Sequence, residues 1–211
     1  MSSGTPIVFV VDDDASVQRG LKRLLRSAGF TAETFASASE FLERYDRNAV
    51  GCVILDLAMP CFDGLQMQKA LTDQGSLLPI IFLTGHGDVV TSVQAMKGGA
   101  VDFLTKPVTD DELLSAVRVA ILRCEALYRA REEIANIRGR VATLTPRERE
   151  VLMHLLSGKL NKQIAADLGT VEHTIKVHRA RVMQKMQAHT LAALVRLAER
   201  AGIEATPPNE G

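Results

Sequence analysis

The feature that most constrains this fold is an alternation of short β-branched apolar runs with amphipathic stretches, which continues through residue 122. Such an alternation is typical of βαβ units around a parallel sheet. The predicted strands are Ile7–Val11, Thr31–Phe35, Cys52–Asp56, Pro79–Thr84 and Asp102–Thr105. Helices are predicted between them at 15–28, 37–45, 64–74 and 88–97, with a fifth that begins near Thr109. We therefore expect an α/β doubly wound, five-stranded parallel sheet, whose ligand binds outside the carboxyl ends of the strands.

The rest of the chain has helical patterns only. Thr145-Pro146-Arg147-Glu148 is a capping box with proline at the first helical position. Further helices are predicted from Asn161, which is expected to cap its helix, and over 171–186 and 190–201. Residues 123–142 contain no proline and one glycine, which predicts a long helical linker and not a flexible one. The expected organisation is a first domain at 5–122, a helical linker at 123–142, an all-α four-helix domain at 143–204 and a disordered tail at 205–211.

Charge and composition narrow the classes of protein. Residues 1–122 hold 10 Lys/Arg and 15 Asp/Glu, a net charge of −5, whereas residues 123–211 hold 15 and 10, a net charge of +5. The basic half is therefore a candidate partner of a polyanion. Three cysteines without metal-type spacing, no visible signal peptide and no apolar run of about 18 residues favour a cytoplasmic protein that does not contact a membrane.

Five polar side chains stand at the predicted strand ends: Asp12 and Asp13 after the first strand, Asp56 at the third, Thr84 at the fourth and Lys106 after the fifth. Taken singly, an aspartate at a strand end is more often a helix cap, and a lysine before proline is more often a solvated loop residue. Together they place several carboxylates in one crevice, where repulsion calls for raised pKa values or a bound cation. A site with a small number of carboxylates, and with room for water and phosphate oxygens, suits Mg²⁺. One carboxylate could then accept a phosphoryl group, with the Lys106 ammonium and the Thr84 hydroxyl stabilising its oxygens.

The motifs Val11-Asp-Asp, Leu55-Asp-Leu-Ala-Met-Pro, Phe82-Leu-Thr-Gly-His-Gly-Asp and Gly99-Ala-Val-Asp-Phe-Leu-Thr-Lys-Pro resemble the receiver domain of bacterial two-component response regulators, a flavodoxin-like fold. The resemblance implies that a sensor histidine kinase phosphorylates Asp56 to the 4-aspartylphosphate. It implies that Mg²⁺ is bound by Asp12, Asp13, Asp56 and the backbone carbonyl of Ala58, and that Asp14 caps the first helix.

The same resemblance assigns a conformational switch. It implies that Thr84 is the switch threonine, that Phe103 is the aromatic rotamer switch, that Lys106 is the essential lysine, and that the bond before Pro107 is cis. Phe103 stands where many relatives have tyrosine, so this ring packs inward without a hydroxyl to donate. Phosphorylation is expected to drive homodimerisation through helix four and strand five.

The helix predicted at 171–186 has an apolar face and a basic face. At 100° per residue, Ile175, Arg179, Val182 and Met186 share one side. The opposite side offers candidate DNA contacts: Lys176, Val177 and Ala180 at base edges, with Thr174, Arg181 and Lys185 nearer phosphates and His173 beside them. A solvated face of a helical bundle is the plainer interpretation of charge alone. A short helix, a Gly-containing turn and a basic second helix nevertheless favour a helix-turn-helix.

Leu144-Thr-Pro-Arg-Glu-Arg-Glu-Val-Leu, Asn161-Lys-Gln-Ile-Ala-Ala-Asp-Leu-Gly and Thr174-Ile-Lys-Val-His-Arg-Ala-Arg-Val-Met-Gln-Lys-Met resemble the LuxR-type output domain. With the receiver motifs, they indicate a response regulator of the FixJ/NarL class. Where relatives often have Ser or Thr before the recognition helix this chain has Val171, so Thr170 is expected to cap it one residue early. In LuxR-type domains the last helix pairs one output domain with a second. Here its Leu191, Leu194 and Val195 are expected to be buried and Leu197 exposed.

The leading hypothesis is thus a phosphorylation-dependent, DNA-binding transcription regulator that is not an enzyme, although its receiver assists its own phosphoryl transfer and dephosphorylation. Its expected partners are a cognate sensor histidine kinase, double-stranded promoter DNA and a second copy of itself, with RNA polymerase a further candidate. A first alternative is a phospho-independent regulator with a vestigial receiver. A second is a phosphatase of the haloacid-dehalogenase type with Asp12 as nucleophile, because Asp12-Asp13-Asp14 contains Asp-x-Asp after a strand.

Overall fold

The computed structural model describes residues 5–59, 63–85 and 88–203. The chain divides into two compact units, Met1–Arg129 and Ala130–Gly211. The expected disordered tail at 205–211 and the third cysteine, Cys61, lie outside the described residues. In the part of the chain that is described, no helix is both long and apolar enough to cross a membrane.

The first unit is a five-stranded parallel sheet with helices between its strands, as the sequence predicts. Its strands run in the order β2-β1-β3-β4-β5. They are β1 (Ile7–Val11), β2 (Thr31–Phe35), β3 (Gly51–Leu55), β4 (Ile80–Thr84) and β5 (Asp102–Thr105). The helices are α1 (Ala15–Ser27), α2 (Ala38–Arg44), α3 (Gly64–Asp73), α4 (Val89–Lys97) and the first part of α5 (Asp110–Ala142).

Buried strands and side-chain caps explain why these elements form. Every residue of β3 and β4 is buried, whereas β2 alternates between exposed and buried positions, as an edge strand does. Asp14, Ser37, Asp63 and Asp88 each cap a helix by accepting a hydrogen bond from a backbone N–H of its first turn. The cap by Asp14 is the one that the resemblance implied.

The sheet separates two apolar cores, and each contains one buried cysteine. Cys52 on β3 packs with Val8, Val10 and Ile54, while Cys124 on α5 belongs to the core on the other face. Both thiols are free and have no exposed surface. Burial raises the pKa of Cys52 to about 12, so this thiol stays protonated at neutral pH.

The second unit is all-helical. It contains the end of α5 together with α6 (Pro146–Leu156), α7 (Asn161–Asp167), α8 (Glu172–Met186) and α9 (Leu191–Arg200). The capping box is present, since Thr145 accepts from the Glu148 N–H and Glu148 accepts from the Thr145 N–H. Its core contains Leu152, Ile164, Ile175 and other buried residues from each of these helices.

The predicted linker residues 123–142 are helical throughout, as the second part of α5, and they contribute core residues to both units. Cys124 is fully buried in the first unit, where the Tyr128 hydroxyl also donates to the carbonyls of Arg47 and Ala49, both at 3.2 Å. Ile137 is 2% exposed and lies in the core of the second unit. The division between the two units falls within α5, after Arg129.

Three details of the second unit also differ from expectation. Asn161 is the first residue of α7 and not its cap; Leu160 occupies that position, and Gln163 accepts from its N–H. Val171, not Thr170, is the N-cap residue of α8, and it makes no side-chain cap. On α9, Leu197 packs against the core although exposure was expected, while Val195, expected to be buried, is only half-buried. The 100° projection gives the angular position of a residue but not how far the neighbouring helices extend over it.

Candidate functional site

The polar residues at the strand ends of the first unit do lie together. Asp12 follows β1, Asp56 follows β3, Thr84 ends β4 and Lys106 follows β5, and these four strands are neighbours in the sheet. Asp12 is 3% exposed, Asp56 is 7% exposed and Thr84 is fully buried. Charged and polar groups are rarely this buried unless they are paired or functional.

Lys106 joins the two buried carboxylates. Its Nζ lies 2.8 Å from Asp12 Oδ2 and 3.2 Å from Asp56 Oδ1. Burial by itself would lower the pKa of Lys106, but the hydrogen bond to Asp12 and the charges of Asp56 and Asp12 outweigh it, so that pKa is raised. The ammonium therefore stays charged and holds one oxygen of each carboxylate.

Backbone groups hold the other carboxylate oxygens. The Ala58 N–H donates to Asp56 Oδ2 at 2.9 Å, and the Asp14 N–H donates to Asp12 Oδ1, also at 2.9 Å. The Lys106–Pro107 bond is cis, as expected, and Pro107 is exposed. The site is thus a pair of fixed carboxylates beside a fixed cation, on the strand-end edge of the sheet.

The donor set fits a hard divalent cation in its chemistry. Asp13 is exposed beside the buried Asp12, and Ala58 is exposed two residues beyond Asp56. Among the described residues, no group of three or more His, Cys, Asp or Glu side chains is arranged to hold a metal ion. Mg²⁺ keeps several waters and needs few carboxylates, so the carboxylates of Asp12, Asp13 and Asp56 with the Ala58 carbonyl suffice for it.

The expected switch residue on β5 packs next to the site. Phe103 is half-buried, and its ring centroid lies 5.9 Å from that of Phe82 on β4. Phe103 is thus one of the partly buried residues that pack against the core containing Phe82.

In the second unit, α7 and α8 form the predicted helix-turn-helix pair. His173, Lys176, Val177, Ala180 and Arg181 are exposed on α8, on the face opposite its buried residues, and Thr174 is half-buried. Lys176 Nζ lies 3.1 Å from Glu172 Oε1, an exposed ion pair on the same face. Five of the seven predicted DNA-contacting residues thus share one accessible surface.

Lys185, predicted to lie near phosphates, also has partners within the second unit. Its Nζ donates to Glu148 Oε2 at 2.6 Å and to the Thr143 carbonyl at 3.0 Å. Because Glu148 is 2% exposed, this pair holds the end of α8 against the start of α6. About a third of the Lys185 side chain stays exposed, so its contact with DNA phosphates remains a prediction.

Two residues at the strand-end site were not expected from the sequence. Gln18 on α1 donates to the carbonyl of Asp12, and Gly64 at the start of α3 lies against the carbonyl of Asp56. A polar residue on an amphipathic helix carries no signal that it reaches a strand end. The glycine directly after the capping residue Asp63 was the only available hint.

Comparisons with known proteins agree with this geometry. The family model described as the response regulator receiver domain matches residues 8–118, and that of the luxR family of bacterial regulatory proteins matches residues 142–198. Nodulation protein W of Bradyrhizobium diazoefficiens is 45% identical over 204 residues, which cover 97% of this chain and 90% of that protein. Transcriptional regulatory protein FixJ of the same organism is 45% identical over 196 residues, covering 93% and 96%. A solved structure of the response regulator StyR has 45% identity and a TM-score of 0.83, covering 93% of this chain and 100% of that one.

A doubly wound sheet with an Asp–Lys–Asp site, followed by a helix-turn-helix, defines a receiver joined to a DNA-binding domain. The chain belongs to the two-component response regulators with a LuxR-type output domain. It is therefore a transcription regulator and not an enzyme, and the phosphatase alternative is set aside. Response regulators of this type partner with sensor kinases and bind DNA, and receiver domains generally bind Mg²⁺ at the phosphorylation site.

Proposed function

We propose that a sensor histidine kinase phosphorylates Asp56 in a Mg²⁺-dependent step, and that the phosphorylated protein dimerises and binds promoter DNA. The observation that carries this proposal is the convergence of Asp12 and Asp56 on one Lys106 ammonium. A vestigial receiver would have no need to keep two buried carboxylates beside a half-buried lysine, since each buried charge costs free energy.

The chemistry follows from the positions of the side chains. An Asp56 carboxylate oxygen attacks the phosphorus of a phosphohistidine; a P–O bond forms, the P–N bond breaks, and the imidazole nitrogen leaves with the electron pair. Lys106 stabilises negative charge on the transferring oxygens, because its ammonium already lies 3.2 Å from Asp56 Oδ1. Mg²⁺, held by Asp12, Asp13, Asp56 and the Ala58 carbonyl, would supply further charge neutralisation.

The switch couples this chemistry to the surface of α4. A phosphoryl group adds a charge of about −1.5 to −2, and the Thr84 hydroxyl donates a hydrogen bond to one of its oxygens. The movement of Thr84 leaves space for the Phe103 ring to turn inward. α4 presents an apolar surface for a second copy: Val89 is 78% exposed, Val90 67%, Val93 44% and Met96 46%. A patch of this kind on a monomer marks an interaction site.

The exposed surface of α8 is the DNA-reading surface. Lys176, Val177 and Ala180 face base edges, and Arg181 and Thr174 face phosphates. Two copies paired through α9 place their α8 helices over half-sites about one helical turn apart.

On an operator selected by the full chain from a random pool, we expect Lys176→Ala to cost about 1–3 kcal/mol of binding free energy and to relax specificity at one base pair. Arg181→Ala is expected to weaken all sequences alike and reduce the salt slope by about one.

The test uses the full chain, acetyl phosphate, Mg²⁺ and the selected operator. We expect intact mass spectrometry to show one phosphoryl group on the wild type and on the control Asp73→Asn, an exposed carboxylate at the end of α3, but none on Asp56→Asn. Phosphorylation should also tighten operator binding. Full phosphoryl incorporation in Asp56→Asn would overturn the assignment, and operator binding that ignores phosphorylation would favour the phospho-independent alternative.

A further inference from the structure

One side-chain amide joins the ends of two strands beside the carboxylates. Gln18, in the second turn of α1, donates from Nε2 to the Asp12 carbonyl at 2.6 Å and to the Phe35 carbonyl at 3.3 Å. These carbonyls directly follow β1 and end β2, respectively. The Asp12 N–H also donates to the Phe35 carbonyl, at 3.2 Å, so the amide completes a small network between the two strand ends.

The Asp12 carbonyl belongs to the peptide that links Asp12 to Asp13. Because a peptide unit is planar, a hydrogen bond that fixes this carbonyl also fixes the direction of the Asp13 N–H. Asp12 is held at its other polar atoms by Lys106, by the Asp14 N–H and by Phe35. Within the described ranges, by contrast, the Asp13 carboxylate has no hydrogen bond or ion pair, and its backbone is what directs it.

We propose that Gln18 is a positioning residue for the divalent cation: its amide orients the Asp12–Asp13 peptide so that the Asp13 carboxylate faces the site. This inference rests on the proposed magnesium site. A glutamine suits the task because it donates without bringing charge. A lysine or arginine would place a second cation beside the metal, and a glutamate would set its oxygens against two carbonyl oxygens.

A purely structural role for Gln18 makes a different prediction. If the amide only ties β1 to β2, its loss lowers stability and leaves the cation affinity of the folded protein unchanged. If it positions Asp13, its loss raises the dissociation constant of the cation and leaves the phosphorylation rate at saturating cation nearly unchanged. Removing a group that orients a metal ligand typically weakens metal binding by about 10- to 100-fold.

The experiment measures cation binding directly on the full chain. Free Mn²⁺ is followed by electron paramagnetic resonance, with Mg²⁺ as competitor, for the wild type, Gln18→Met and Gln18→Asn, whose amide is one methylene too short to reach. We expect both variants to raise the Mn²⁺ dissociation constant by about tenfold. Acetyl phosphate should phosphorylate them at close to the wild-type rate once Mg²⁺ saturates. This small donor keeps kinase docking out of the measurement.

Two controls separate the possible failures. Gln94→Met makes the same substitution at an exposed position on α4 and should bind Mn²⁺ as the wild type does. Asp13→Asn should lose most of the affinity. A wild type that binds no Mn²⁺ would contradict the proposed magnesium site itself, whereas a wild type that binds, with Gln18→Met and Gln18→Asn binding equally well, would overturn only the role of Gln18.

Discussion

At the scale of single residues, the backbone of Asp56 is as closely packed as its side chain. A Cβ added to Gly64 would lie 2.7 Å from the Asp56 carbonyl oxygen and 2.9 Å from Cε1 of the buried Phe82. Neither a strand-end backbone nor a core ring can move away cheaply. The first residue of α3 must therefore be small for Asp56 to keep its place.

Gly64→Ala should lower the free energy of unfolding by about 1–3 kcal/mol, as overpacking does, and should slow phosphorylation of Asp56. Urea denaturation and acetyl phosphate labelling measure the two effects. Gly20→Ala is the matched control, because a Cβ there meets nothing within 4 Å in the middle of α1. It should gain about 0.5–1 kcal/mol from helix propensity. Equal stability of the two variants would contradict the close approach.

A second residue-scale prediction concerns the buried Glu148. Glu148 accepts hydrogen bonds from the Lys185 ammonium and from the Thr145 N–H. Both lower the pKa of Glu148 below its usual range, and the bond from Lys185 has the larger effect. The ionised form thus stabilises the fold at pH values above the ordinary glutamate pKa, and this contribution is lost as the pH falls through the lowered value. Lys185→Met should therefore lower the free energy of unfolding by about 2–3 kcal/mol at pH 7, and by progressively less as the pH falls through the lowered pKa of Glu148.

Guanidinium denaturation at a series of pH values measures that difference. Lys162→Met, which removes an exposed lysine of α7, is the control and should follow the wild type at every pH. A Lys185→Met deficit that does not shrink on acidification would show that the pair is not the source of the lowered pKa.

The contrast between Lys106 and Lys185 shows what the sequence can predict about single residues. The position of Lys106 beside the carboxylates could be predicted because it directly follows a strand, and the carboxyl ends of neighbouring parallel strands converge. Lys185 lies on a helix, where periodicity gives a direction but no partner, and its partner Glu148 is 37 residues away. Gln18 was missed for the same reason, since the carbonyl of Phe35 is 17 residues away.

At the scale of elements, α8 ends without a glycine. Gln187, its C-cap residue, has φ +54° and ψ +37°, a left-handed conformation that costs a residue with a Cβ about 1–2 kcal/mol. Gln187→Gly should therefore raise the free energy of unfolding by about 0.5–1 kcal/mol, after the greater freedom of glycine in the unfolded chain is subtracted.

Thermal denaturation of the full chain measures that gain. Gln184→Gly, within α8 and also exposed, should instead lose about 1 kcal/mol, because glycine is unfavourable inside a helix. A loss in both variants would mean that the left-handed cap is not a source of strain.

The sequence predicted the strands and helices to within a residue or two, because caps such as Asp14, Ser37 and Thr145 and the apolar strand runs are local signals. It did not indicate how α5 is divided between the two units, because that division depends on tertiary packing. The helical pattern of 123–142 was interpreted as a linker, yet Cys124 and Ile137 each lie in a core. Local periodicity identified the helix and could not identify what its apolar residues touch.

At the scale of the whole molecule, the proposed dimer can be tested by comparing two exposed valines. Val90 on α4 is 67% exposed and Val119 on α5 is 54% exposed. Val90→Glu should be phosphorylated normally and remain monomeric, because two added carboxylates would face each other across the α4 surface. Val119→Glu should be phosphorylated and dimerise as the wild type does. Sedimentation of the phosphorylated proteins measures the outcome, and a dimer of Val90→Glu as tight as that of the wild type would remove α4 from the interface.

The buried thiols of the first unit have a kinetic consequence. Alkylating reagents need an accessible thiolate, and Cys52 offers neither access nor ionisation, with no exposed surface and a pKa of about 12. Its modification must wait for the sheet to open, so the rate at which Cys52 is labelled measures how often β3 becomes exposed. Cys124, on the opposite face, measures the opening of α5 in the same sample. The labelling rates of Cys52 and Cys124 thus report on the exposure of β3 and of α5, respectively.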